Sequence, residues 1–152
     1  MMNTSRTPLQ IACVGWLDGP IHWDIALNLN FRAGITRDQA VRAAKQFWQR
    51  VDCGVYGSKV KRKGLRVPRV CVLEGDGSTS NFHYHAAVAL PQQHELPSFQ
   101  AVLLDTWQQF DEAGRFSRVE PCYNSQGWLN YICKGMTRST DVLCMATSHI
   151  PA

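Results

Sequence analysis

Five side chains in this sequence are of types and spacings that do chemistry together: Glu74, His83, His85, Tyr131 and Lys134. The histidines lie one residue apart in "NFHYHAAVAL". On a strand that spacing puts both imidazoles on one face, while Phe82, Tyr84, Ala86, Val88 and Leu90 take the other. If the preceding stretch folds back as a hairpin with Glu74 opposite His83 and Val72 opposite His85, the carboxylate joins them. One carboxylate and two neutral imidazoles make a facial ligand set for a divalent cation, Mn²⁺, Mg²⁺ or Zn²⁺ by ligand type, with positions left open for a substrate oxygen. The same residues also suit a hydrogen-bonded histidine pair at a wet strand edge. Tyr131 and Lys134 stand three apart, about one helical turn, where an ammonium beside a phenol favours the phenolate and so a better nucleophile. A surface tyrosine with a solvated lysine near a helix C-terminus has the same spacing.

These side chains need elements to carry them. "IHWDIALNLNFR" alternates strictly, with Ile21, Trp23, Ile25, Leu27, Leu29 and Phe31 on one side and His22, Asp24, Asn28 and Asn30 on the other, so a half-buried strand is predicted. Residues 34–51 open with Thr36 and, three residues on, Gln39, a capping box, and carry apolar residues at helical spacing up to a Gly54-to-Gly57 break. "RVPRVCVLE" (66–74) reads as a strand, "GDGSTSN" as a loop, and the histidine stretch as its antiparallel partner. Residues 96–114 predict a second helix with Ser98 as its cap and Phe99, Val102, Leu103, Thr106, Trp107 and Phe110 along one face. "RFSRVEPCY" is a last short strand, and "NSQGWLNYICKG" a short helix capped by Asn124 or Ser125 and stopped at Gly135. Strand, helix, strand, strand, helix, strand, helix predicts an α+β fold, a single antiparallel sheet with packed helices, in one domain with its core at about 21–136. Residues 138–152 show no clear period, and they and residues 1–10 are read as tails outside the core.

The composition is that of an ordinary globular domain, 45% apolar and 18% charged, and no run approaches the ~18 apolar residues of a membrane span. The start, "MMNTSRTPLQ", has no apolar secretory core, which points to the cytoplasm. Six cysteines without a C-x-x-C pair read as isolated buried thiols of a reducing compartment. Charge is distributed unevenly. Residues 42–69 hold nine Lys or Arg against one acid, Asp52, a local +8 in a chain of +4. Such concentration is the footprint of a phosphate-backbone partner, and Lys59, Lys61, Arg62, Lys63 and Arg66 are its densest part. A solvated face that only aids solubility is the plainer alternative.

Taken together, "LNLNF" on the first strand, "FHYHAAVALP" and "GWLNYICKG" resemble the motifs of the HUH endonucleases, specifically the single-tyrosine Rep-type initiators of rolling-circle replication. The resemblance runs through most of residues 21–135 and implies an RRM-like sheet. It implies that Glu74, His83 and His85 hold Mn²⁺ or Mg²⁺ against a scissile phosphate. It makes Tyr131 the nucleophile that leaves a 5′-phosphotyrosine link and a free 3′-hydroxyl, with Lys134 assisting. Asn28 and Asn30 fall in the first motif, beside the DNA. The implied partner is single-stranded DNA at the replication origin of a plasmid, phage or related mobile element, nicked and rejoined. No G-x-x-x-x-G-K-[ST] occurs, so unwinding would fall to a host helicase. Transposases and relaxases share this chemistry. A non-catalytic single-strand-binding module explains the basic run but leaves Glu74, His83 and His85 idle. A cupin barrel fits G-x₅-H-x-H from Gly77 but lacks the glutamate expected at about residue 89 or 90.

Overall fold

The computed structural model describes residues 5–19, 21–75, 81–136 and 143–151. Among them the elements run α1 (Pro8–Leu17), β1 (Ile25–Asn30), α2 (Arg37–Tyr56), α3 (Lys59–Lys63), β2 (Arg69–Glu74), β3 (His83–Val88), α4 (Leu96–Gln108), β4 (Arg118–Pro121) and α5 (Ser125–Ile132). The alternation along β1 decides the layering. Ile25, Leu27 and Leu29 are fully buried on one face, and Asn28 and Asn30 turn to the other. The strands form one antiparallel sheet in the order β2-β3-β1-β4, so the expected α+β architecture is what the chain adopts. The register is also the expected one, with Glu74 against His83 and Val72 against His85. On its other edge β3 sets His85 against Asn28 and His83 against Asn30, and Asn28 in turn faces Arg118 of β4.

Each face of the sheet has its own core. Leu27, Leu29, Cys71, Leu73, Tyr84 and Ala86 pack against Phe47 and Trp48 of α2 and Phe99, Leu103 and Trp107 of α4. Val70, Val72 and Ala87 on the opposite face pack against α1 and α5 through Val14, Leu17, Leu129 and Ile132. The polar ends of the central strands lie on this second face, and they carry the candidate site.

Several expectations need correction. A helix, α1, precedes the first strand: Thr7 and Gln10 form a reciprocal capping box around Pro8, and Gln10, Cys13, Val14 and Leu17 are buried. Helix α2 continues through Gly54 to Tyr56, because packing of Val55 and Tyr56 on the core outweighs the ~1 kcal/mol that glycine costs a helix. Helix α4 is capped at Glu95 rather than Ser98, since Pro97, with its fixed φ and missing N–H, belongs in a first turn. It ends at Gln108, beyond which successive turns run to Ala113, and Val102 faces solvent. Residues 143–151 are part of the sheet's periphery. Leu143 bridges to Val72 and His149 to Arg69, covering the outer edge of β2, which would otherwise present unpaired backbone groups. The six cysteines are free thiols, but Cys53 is exposed, and the Cys13 and Cys133 thiols meet between α1 and the end of α5. Burial pushes Cys133 up to about 12 and Cys71 up to about 11, as suits inert packing groups. Gly77 and the rest of 76–80 lie outside the described residues, and among the described residues no helix is long and apolar enough to cross a membrane.

Candidate functional site

Where β1, β2 and β3 bring their polar residues side by side, a cleft of about 490 Å³ opens, lined by Asn28, Asn30, Glu74, His83, His85, Phe116, Arg118 and Tyr131. Six of these residues come from strands of one sheet, so their spacing follows from register. Tyr131 comes from α5, which the Trp128 indole N–H fixes to β3 by donating to the Ala86 carbonyl at 2.9 Å. The Asn124 side chain caps α5 by accepting from the Gly127 N–H at 2.9 Å. Phe116 arrives on the α4–β4 connection, held against the end of β1 by Gly114, whose N–H donates to the Asn30 carbonyl at 2.7 Å. A β-carbon at position 114 would come within 3.1 Å of that oxygen, so glycine permits the approach.

His85 is 3% exposed, and its Nε2 lies 3.4 Å from Glu74 Oε2. The same carboxylate oxygen lies 3.5 Å from Lys134 Nζ. The His85 N–H beside it, reinforced by Lys134, holds the Glu74 carboxyl below its ordinary range, against the opposing effect of burial. Lys134 follows the helix rather than belonging to it, yet its turn folds the ammonium to 3.7 Å from the centre of the Tyr131 ring. Tyr131 is 48% exposed, edge-on to His85 at 5.8 Å and stacked on Trp128 at 5.4 Å. His83 and His85 lie parallel, ring centres 6.3 Å apart.

Among the described residues, four buried polar atoms of the cleft have no hydrogen-bond partner: Asn28 Oδ1, Asn30 Oδ1, Glu74 Oε1 and His85 Nδ1. Each such atom costs on the order of 1–3 kcal/mol if nothing satisfies it. With Nε2–H directed at Glu74, the neutral imidazole presents a lone pair at Nδ1. An imidazole held by a carboxylate through one nitrogen and open at the other is the usual disposition of a metal-binding histidine. The donors therefore fit a hard divalent cation such as Mg²⁺ or Mn²⁺ in type: one carboxylate oxygen, one imidazole nitrogen and two amide oxygens. Glu74, His83 and His85 adjoin without closing into a triad, and among the described residues no three His, Cys, Asp or Glu side chains are grouped to hold a metal ion.

The basic run is elsewhere. Lys59, Lys61, Arg62 and Lys63 form α3, which with exposed Arg66 joins α2 to the start of β2, whereas Glu74 closes β2. The five residue steps between Arg69 and Glu74 span about 17 Å. Helix α2 covers the opposite face of the sheet from the cleft. Among the described residues, the cations that reach the cleft or its margins are Arg118, Arg115, Arg32, Lys134 and Arg6. Of these only Lys134 stood out in the sequence. Arg118 was detectable in principle, since the β4 register sets it against Asn28. Comparison with family models finds none that matches this chain, and comparison with curated proteins and with solved structures likewise finds no match.

Proposed function

We propose that this chain is a metal-dependent endonuclease and strand transferase for single-stranded DNA, working through a tyrosyl ester at Tyr131. The observation that carries the reading is the meeting, in one cleft, of a half-exposed tyrosine, a carboxylate-held histidine and unpartnered acceptor oxygens. His85 and Glu74, with Asn28, Asn30 and His83 adjoining, would hold Mn²⁺ or Mg²⁺. When bound, such an ion acts as a Lewis acid toward a phosphate oxygen. Tyr131 presents its phenol oxygen to phosphorus; as that bond forms, the bond to the 3′-oxygen breaks, leaving a 5′-phosphotyrosine ester and a 3′-hydroxyl. Arg118 and Lys134 put positive charge where the transferring phosphate gains negative charge, and Lys134 also fixes the ring from its face. Because the ester conserves the phosphodiester bond, a returning 3′-hydroxyl can rejoin the strand. Initiation of rolling-circle replication, with a host helicase to unwind, is the role that the three motif-like stretches support; transposition or mobilisation would use the same chemistry.

The test is direct. Incubated with single-stranded oligonucleotides and Mn²⁺, the protein should give a covalently shifted band that chelation abolishes and Mn²⁺ or Mg²⁺ restores. Tyr131→Phe removes one oxygen and should give no band at any metal concentration while still binding the oligonucleotide. An adduct formed by Tyr131→Phe would transfer the nucleophile's role to another residue, first to Tyr123, which is exposed just ahead of the Asn124 cap of α5. No adduct from the wild type would favour the binding module.

A further inference from the structure

We infer that the bound single strand follows one continuous trough along the polar end of the sheet's second face, and that Phe116 is the platform on which one of its bases stacks. This rests on the nuclease reading for the identity of the ligand, but on separate residues for its path.

The trough consists of three depressions that share walls. One, of about 580 Å³, is bounded by Asn30, Arg32, His83, Arg115 and Phe116. It shares Asn30, His83 and Phe116 with the central cleft. Another, of about 750 Å³, is bounded by Arg6, Gln10, Asn130, Tyr131 and Lys134, and Tyr131 is the wall it has in common with that cleft. Cations therefore stand at both ends and in the middle: Arg32 and Arg115, then Arg118, then Lys134 and Arg6. A chain of phosphates laid along the trough would meet one at each stage. Phe116 stands at the junction of the first two depressions, 78% exposed. The backbone on either side of it is fixed, because the Gly114 N–H donates to the Asn30 carbonyl and the Ser117 hydroxyl accepts from the Asn30 N–H at 3.0 Å. An outward aromatic ring on a pinned segment, flanked by arginines and next to a polar cleft, suits base stacking, which needs an unpaired base and tolerates any sequence.

The experiment uses the full chain and poly-dT carrying one fluorescent adenine analogue, whose emission falls when it stacks. The wild type should bind with quenching. Phe116→Ala should lose the quenching and about tenfold in affinity, whereas Phe116→Trp should keep both. Arg32→Gln and Arg115→Gln should each flatten the dependence of log Kd on log salt by about 0.7 without altering the quenching. Because Phe116 is exposed, an unchanged urea midpoint would show that Phe116→Ala is folded. Wild-type quenching and affinity in folded Phe116→Ala would overturn the path. The nuclease reading fails separately: absence of an adduct with the quenching still lost in Phe116→Ala rejects the chemistry and keeps the path. A wild type that binds no single strand rejects both.

Discussion

At Glu74 one carboxylate answers to three neighbours: the His85 N–H, the Lys134 ammonium and the low-dielectric cleft floor. The first two outweigh the third, so the folded chain holds this carboxyl below its ordinary value of 4.5. A carboxyl depressed in the folded state contributes stability that is fully present above the unfolded value. That contribution is lost as pH falls through the folded value. The urea midpoint of the wild type should therefore drop on acidification from about pH 4.5 downward, and part of the drop should vanish in Glu74→Gln, which cannot titrate. Parallel curves for the two proteins would show that the contact contributes nothing. The Glu74–His83 register was legible in the sequence only as a condition on the hairpin, because β2 and β3 are buried on both faces almost throughout and no period-two alternation fixes their pairing. The sequence singled out Asn28 and Asn30 only through a motif-like stretch. Their side-chain oxygens, unpartnered among the described residues, depend on how β1 lies between β3 and β4, which no local pattern encodes.

At the scale of elements, the placement of Tyr131 depends on α1. Gln10, buried in α1, reaches across to the end of α5, its Nε2 donating to the carbonyls of Cys133 at 3.2 Å and Lys134 at 2.8 Å. These carbonyls belong to the turn after α5 that folds Lys134 back onto Tyr131. Gln10→Ala should therefore cost about 1–3 kcal/mol in urea denaturation, the range for leaving buried polar groups unsatisfied. It should also slow adduct formation at saturating DNA, since the turn that carries Lys134 loses its tie. Loss of stability with an unchanged rate would limit Gln10 to a structural role. Helix α1 escaped detection because Leu9, Ile11, Ala12, Cys13, Val14, Trp16 and Leu17 are apolar nearly all round, which leaves no stripe of period 3.6. Its signal was the T-P-x-Q start, a capping box with proline in the first turn. Helix α3, at five residues, is too short for any periodicity to register.

At the scale of the molecule, the chain separates its densest charge from its candidate site. The densest positive run lies on α3, beyond the Arg69 end of β2 and beside α2, which covers the other face of the sheet from the cleft. Within that run Arg69 is spent internally. Its guanidinium pairs with Asp52 at 2.9 Å and donates to the Thr147 carbonyl at 2.8 Å, tying α2, β2 and residues 143–151 together. The cations on α3 lie past the Arg69 end of β2, a strand whose five residue steps to Glu74 span about 17 Å, whereas the screening length is about 10 Å at 0.1 M salt. On the proposed function, that placement assigns α3 to long-range attraction of the nucleic acid at low ionic strength. Neutralising Lys59, Lys61, Arg62 and Lys63 to glutamine should therefore slow association with single-stranded DNA several-fold in dilute buffer, and the difference should fade as salt passes about 0.1 M. Dissociation, and the rate of adduct formation once DNA saturates the protein, should stay as in the wild type. Stopped-flow binding at a series of salt concentrations reads the first effect, and single-turnover cleavage the second. If the quadruple variant instead releases DNA faster at every salt concentration, α3 touches the nucleic acid directly, and the strand or an adjoining duplex must wrap from the cleft to the opposite face.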